Sequence, residues 1–137
     1  MKKSLIFITI LLFIISICCS GCIDSTKANN TWGEKKISLD AIKIGNDTVG
    51  NRSENNDSIY YVYGNITNQN SFEALETKIR VTTYYVNGTV FAINDTPRLN
   101  PQNIPANGQS YFYARFVDPN KQIVKYDVKI ISAKGEY

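Results

Sequence analysis

The sequence contains no histidine, and its three cysteines, Cys18, Cys19 and Cys22, are packed within five positions near the N-terminus. Cysteines that close cannot staple a fold, and the rest of the chain holds none for them to pair with, so a disulfide framework is excluded. The same absences remove the base beside a nucleophile that triad-type enzymes need, and the usual ligands of a zinc site. A glycine-rich phosphate loop is missing, as is any sustained 3.6-residue periodicity. An excess of one charge is also missing. The formal net charge is +3, but Lys2 and Lys3 sit in an apolar leader, and residues 22–137 carry 13 basic and 12 acidic side chains, a net of +1. Such a body lacks the basic stripe that a phosphate backbone requires, so nucleic acid is not an expected partner.

What is present begins with that leader. Met1-Lys2-Lys3 is a short positive segment, Leu5 to Ile15 is apolar except for Thr9, and the small residues Ser20-Gly21 follow. This is the layout of a secretory signal peptide, expected as a helix over residues 1–21. Leu5 to Cys19 is 15 residues long, shorter than the roughly 20 that a spanning helix needs. Cys19-Ser20-Gly21-Cys22 resembles the lipobox of secreted lipoproteins, in which small residues precede a cysteine that receives a diacylglycerol thioether and becomes the mature N-terminus. The resemblance implies lipidation of Cys22, an anchor to the membrane, and placement on the outer face of the cell membrane. Two chains hold a protein there stably. Residues 22–34 are largely polar without periodicity and read as the lipidated cysteine and a flexible tether.

From Lys35 to Tyr137 the pattern has period two, broken by Asn, Gly, Pro and Asp clusters, which is the signature of short strands. Ile37, Leu39 and Ala41 alternate, then Ile42 and Ile44 continue out of phase, as in one strand with a bulge near Ala41. Gly45 to Asp57 is almost wholly polar and reads as a long exposed loop. Tyr60, Val62, Gly64 and Ile66 mark one face of a second strand. Leu75, Thr77, Ile79, Val81, Thr83 and Tyr85 mark one face of a long third. Asn87-Gly88 is a hairpin signal, because both residues tolerate positive φ, with Thr89 to Ile93 returning. Asp95 to Asn107 carries Pro97, Pro101 and Pro105 and reads as a looping connection. Phe112, Ala114 and Phe116 line a fifth strand, and Val124, Tyr126, Val128 and Ile130 a sixth. Six to seven strands on about 100 residues imply an all-β antiparallel sandwich.

Four stretches carry a further resemblance: Val62-Tyr63-Gly64-Asn65-Ile66-Thr67-Asn68, then Tyr84-Tyr85-Val86-Asn87-Gly88, then Ile104-Pro105-Ala106-Asn107-Gly108-Gln109-Ser110, and Tyr126-Asp127-Val128. Over Ile37 to Ser132 the chain resembles the FxLYD domains, immunoglobulin-like β-sandwiches common on extracytoplasmic proteins of bacteria and archaea. The resemblance implies an immunoglobulin-like sandwich and no catalytic residues; no cofactor is expected. It also implies that the second and fifth expected strands lie side by side in one sheet.

Among the chemistry-bearing residues, paired carboxylates are the remaining route to acid–base catalysis. Glu73 with Glu76, Asp118 and Asp127 are the candidates, and all read as strand-end or outward-facing surface charges. Asp47, Glu54 and Asp57 lack the spacing of an EF-hand calcium loop and read as a solvated loop. Asn-x-Ser/Thr occurs seven times, at Asn29, Asn46, Asn51, Asn56, Asn65, Asn87 and Asn94, in a chain with 15 asparagines; chance placement gives about two such sites. Most fall in expected loops or turns, where a glycan can be attached; Asn46, Asn51 and Asn56 share one expected loop. Finally, if Val62, Ile66, Phe112 and Phe116 point inward, then Tyr61, Tyr63, Tyr111 and Tyr113 point out. Those rings either brace the sheet as cross-strand pairs or form a docking patch for a glycan or another envelope protein. The expectation is a membrane-anchored, non-catalytic interaction module. A structural spacer or shield is the alternative, and an envelope-acting enzyme the third.

Overall fold

The computed structural model describes residues 37–135. The leader, Cys22, Asn29 and the tether lie outside the described residues. Eight strands run in order: β1 (Ile42–Ile44), β2 (Val49–Arg52), β3 (Ile59–Asn68), β4 (Ala74–Tyr84), β5 (Val90–Asn94), β6 (Arg98–Asn100), β7 (Gln109–Val117) and β8 (Lys125–Gly135). All pairs are antiparallel. One sheet has the order β1-β3-β7-β6, with β2 also on β3, and the second has the order β5-β4-β8. The domain is therefore all-β and sandwich-like, with a core shared by the two sheets.

The period-two pattern is why these segments are strands, and burial follows it. β7 alternates exposed and buried over its whole length, placing Phe112, Ala114 and Phe116 inside. Val62 and Ile66 of β3 meet them from the same sheet, and Ile79 and Val81 of β4 come from the opposite one. Each buried valine, isoleucine or phenylalanine among them contributes about 1.5–3 kcal/mol relative to exposure. Asn65 Oδ1 is a buried polar atom without a hydrogen-bond partner among the described residues, but the fully buried Asn68 is well matched. Asn68 Nδ2 donates to the carbonyls of Phe72, Ile104 and Pro105 at 2.9, 3.2 and 3.1 Å, and its Oδ1 accepts from the Asn70 N–H at 3.0 Å. That one side chain ties the β3–β4 corner to the loop ahead of β7, as an unpaired buried amide would be costly.

The structure departs from the sequence expectations at several places. Leu39–Ala41 is a short 3₁₀ turn rather than the first half of a strand. Its backbone is satisfied locally and at the β3–β4 corner, where the Gln69 N–H donates to the Ala41 carbonyl at 2.8 Å. The stretch Gly45 to Asp57 is not one loop, because β2 lies within it and pairs Val49 with Tyr63 and Asn51 with Tyr61. An edge strand turned to solvent can be polar, so composition hid it. Asp95 to Asn107 likewise contains β6, held between Pro97 and Pro101 on the edge of the sheet, where proline is tolerated. In β4 the buried face is Thr77, Ile79, Val81 and Thr83, but Leu75 is out of phase and Ala74 is buried in its place. Glu76, at φ 46°, supplies the irregularity that shifts the register there. The β4–β5 hairpin uses Gly88 alone in the left-handed region, at φ 81°. The Gly88 N–H donates to Tyr85 and the Tyr85 N–H to Thr89, both at 2.9 Å, so the connection is a three-residue loop rather than a two-residue turn. Val124 precedes β8 and is 58% exposed. Counting β1 and β2 as one interrupted edge leaves seven columns; as separate strands they make eight.

Candidate functional site

The outer face of the larger sheet is built by the register of its strands. Residues directly opposite share a face, so each pairing defines a row. One row is Asn51–Tyr61–Arg115, and the next is Val49–Tyr63–Tyr113–Arg98. A third is Asn65–Tyr111–Asn100, and a fourth is Lys43–Thr67–Gln109. The two strands bearing the tyrosines are neighbours, and all four rings are on one face. Tyr63, Tyr111 and Tyr113 are 40%, 58% and 44% exposed, while Tyr61 is half-buried. Tyr61 and Tyr113, diagonal neighbours, have ring centroids 5.0 Å apart with planes tilted by 33°. Hydrogen bonding with the adjoining Tyr61 hydroxyl, then burial, pushes the Tyr113 phenol above its ordinary range against the pull of Arg115.

The charges around these rings are unevenly signed. Lys43, Arg98 and Arg115 are exposed on this face and none forms an ion pair among the described residues. No strand residue of the face is acidic. Asp47, in the β1–β2 turn, brings one carboxylate against the face by accepting a hydrogen bond from Asn65 Nδ2. On the outer face of the smaller sheet Arg80 pairs with Asp95 at 2.5 and 2.8 Å and Lys129 with Asp127 at 3.4 Å, while Lys78 and Lys125 are exposed there as well, Lys125 lying 5.9 Å from the centre of the Tyr84 ring.

The carboxylate candidates do not converge. Glu76 pairs with Lys134 at 2.8 Å, Asp57 with Lys121 at 2.5 Å, and Asp127 with Lys129. Hydrogen bonding to those lysines holds the Glu76 and Asp57 carboxyls below their ordinary values. Asp118 corrects the expectation of a surface charge, since it is fully buried. Burial alone raises its pKa, but the N–H groups of Gln122 and Ile123, at 2.9 Å each, and Arg52 at 2.7 Å outweigh that and hold it low. Asp118 organises the β7–β8 loop; no second carboxylate joins it. Asp47, Glu54 and Asp57 are not drawn together either, and no group of three or more His, Cys, Asp or Glu suited to a metal ion occurs among the described residues.

The six described sequons fall into three kinds. At Asn56, Asn87 and Asn94 the Oδ1 accepts the backbone N–H two residues on, at 3.0, 3.0 and 2.9 Å, which is an Asx-turn. Asn46 is exposed in the β1–β2 turn. Asn94 is the last residue of β5, whereas Asn51 and Asn65 stand within the larger sheet, on the tyrosine face itself. Sequence reasoning found the four tyrosines but missed the cations that frame them. Arg115 was legible, since it follows Tyr111 and Tyr113 at the same spacing of two. Arg98 was not, because Pro97 and Pro101 disguise its strand as loop.

No protein-family model matches the chain, and neither a curated protein nor a solved structure matches it.

Proposed function

We propose that the protein is a membrane-anchored extracytoplasmic lipoprotein whose domain is a non-catalytic interaction module that docks its ligand on the tyrosine face. The anchor rests on the leader and the Cys19-Ser20-Gly21-Cys22 site. The docking reading rests on one observation: four tyrosines on neighbouring strands share the outer face of one sheet, three of them at least two-fifths exposed. Tyrosine offers large amphipathic contact area with little conformational entropy to lose. Asp118, the one buried carboxylate among the described residues, is committed to holding a loop, which supports the non-catalytic part.

The immunoglobulin-like reading is supported by strand order. An immunoglobulin sandwich has strands A-B-E-D in one sheet, and β1-β3-β7-β6 follows that order, with β5-β4-β8 in the place of C′-C-F. Two of the resemblance stretches also meet, since the Asn68 N–H donates to Gly108 at 2.8 Å.

The test is capture from native membranes by the tagged full chain and by a Tyr63→Ser/Tyr113→Ser variant, with unfolding followed in parallel. Loss of a captured partner at unchanged stability supports docking. A second reading, that the rings only brace the sheet, draws on the Tyr61–Tyr113 contact; lowered stability with capture intact would select it.

A further inference from the structure

The domain is nearly neutral, yet its tyrosine face carries three exposed cations, Lys43, Arg98 and Arg115, with no ion pair among the described residues. We infer that the ligand of the tyrosine face is an acidic polysaccharide, a chain of sugars bearing widely spaced carboxylates. This inference rests on the docking reading above and adds the chemical class.

The dimensions come from the register. Four strands at about 4.8 Å make a platform about 14 Å wide, and four rows about 6.8 Å apart make it about 20 Å long. Down its middle run Tyr61, Tyr63, Tyr111 and Tyr113, rings suited to stacking on the apolar faces of sugars. At its margins stand Lys43, Arg98 and Arg115, in three different rows. Three cations against the one carboxylate bonded to this face, that of Asp47 on Asn65, leave the platform with a net positive charge although the whole chain is close to balance.

The spacing of these groups selects among polyanions. A nucleic acid carries a phosphate at every nucleotide, and its binding proteins answer with many cations. Here three cations are spread over the platform and separated by neutral hydrogen-bonding groups, chiefly Asn51, Asn100 and Gln109. Sparse charge among dense hydroxyl-matching amides is what a uronic-acid polymer presents in complement.

The experiment uses the full chain in detergent micelles with four immobilised polymers: polygalacturonate, neutral dextran, polyglutamate and oligo-deoxythymidine. Variants are Arg98→Gln/Arg115→Gln and Tyr63→Ser/Tyr113→Ser, each checked for folding by thermal unfolding. The expected result is that polygalacturonate binds at least about tenfold tighter than the other three, and that either double variant loses about tenfold or more. Binding should also weaken between 0.1 M and 1 M salt, as the screening length falls from about 10 Å to about 3 Å. Equal binding of dextran with a neutral arginine variant overturns the charge inference and leaves the docking reading standing. Equal or tighter binding of polyglutamate or the oligonucleotide overturns the polysaccharide class. If no polymer binds while tyrosine-dependent capture from membranes persists, the inference falls alone; if that capture is also absent, the docking reading falls with it.

Discussion

Arg52 of β2 reaches under the end of the larger sheet and places its guanidinium 2.7 Å from the fully buried carboxylate of Asp118. The same guanidinium lies 5.6 Å from the centre of the Tyr60 ring. The pair joins the polar edge strand to the loop that precedes β8, two segments far apart in sequence.

Asp118→Asn removes the charge while keeping the shape, and leaves Arg52 and two N–H groups with a weaker acceptor. Equilibrium urea unfolding at pH 7 should show a loss of roughly 3 kcal/mol. The pH dependence follows from the low folded-state pKa. The stabilisation is fully present above the unfolded aspartate value of about 3.9 and is lost as pH falls from there through the folded value. The wild type should thus lose stability below about pH 4 more steeply than Asp118→Asn. Parallel pH profiles would contradict the assignment.

Gly64 sits in β3 where the β1–β2 turn folds over it, and a Cβ there would lie 2.8 Å from the Cα of Thr48. Backbone must move to admit it. Gly64→Ala should destabilise by about 1–3 kcal/mol in thermal or urea unfolding, although alanine suits a strand better than glycine does. An unchanged midpoint would mean that the turn is free to lift.

The contact of Tyr61 with Tyr113 can be weighed by a double-mutant cycle with serine at each position. The expected coupling is about 0.2–1 kcal/mol, the range for cross-strand pairs. A coupling within error of zero would remove bracing as the explanation for these two rings.

Glycopeptide mass spectrometry of natively expressed protein should sort the sequons by geometry. Asn56, Asn87 and Asn94 hold Oδ1 in a turn and leave Nδ2 without a partner among the described residues, so they are expected to be occupied ahead of Asn65. Asn65 lies in the middle of β3, and its Nδ2 is engaged by Asp47. A glycan on Asn51 would stand in the same row as Tyr61 and should lower ligand binding. Asn65 occupied with the three turn sites bare would reverse the order argued here.

Cys22→Ser tests the anchor. The wild-type chain from its own host should have an intact mass that begins at a lipid-modified Cys22, and should partition into detergent. The variant should remain uncleaved at that site and lack the lipid mass. A variant that is still cleaved there and still membrane-bound would sink the lipid anchor.

Much of the domain was determined by the sequence itself. Strict alternation around Phe112, Ala114 and Phe116, and around Val62 and Ile66, needs nothing beyond the two-residue repeat of a strand to place Tyr61, Tyr63, Tyr111 and Tyr113 outside. The strong apolar strands were legible because burial on one face leaves a periodic trace. Other features were decided only by tertiary structure. β2 and β6 are edge strands with little to bury, so no apolar period marks them, and their pairing partners alone make them strands. Glu76 reverses the phase of β4 through a backbone angle that its side chain does not announce. Asp118 reads as one more surface acid until the fold wraps Arg52 and two N–H groups around it. The positive rim is of the same kind, because Lys43, Arg98 and Arg115 are far apart in the chain and become one field only when β1, β6 and β7 share a sheet.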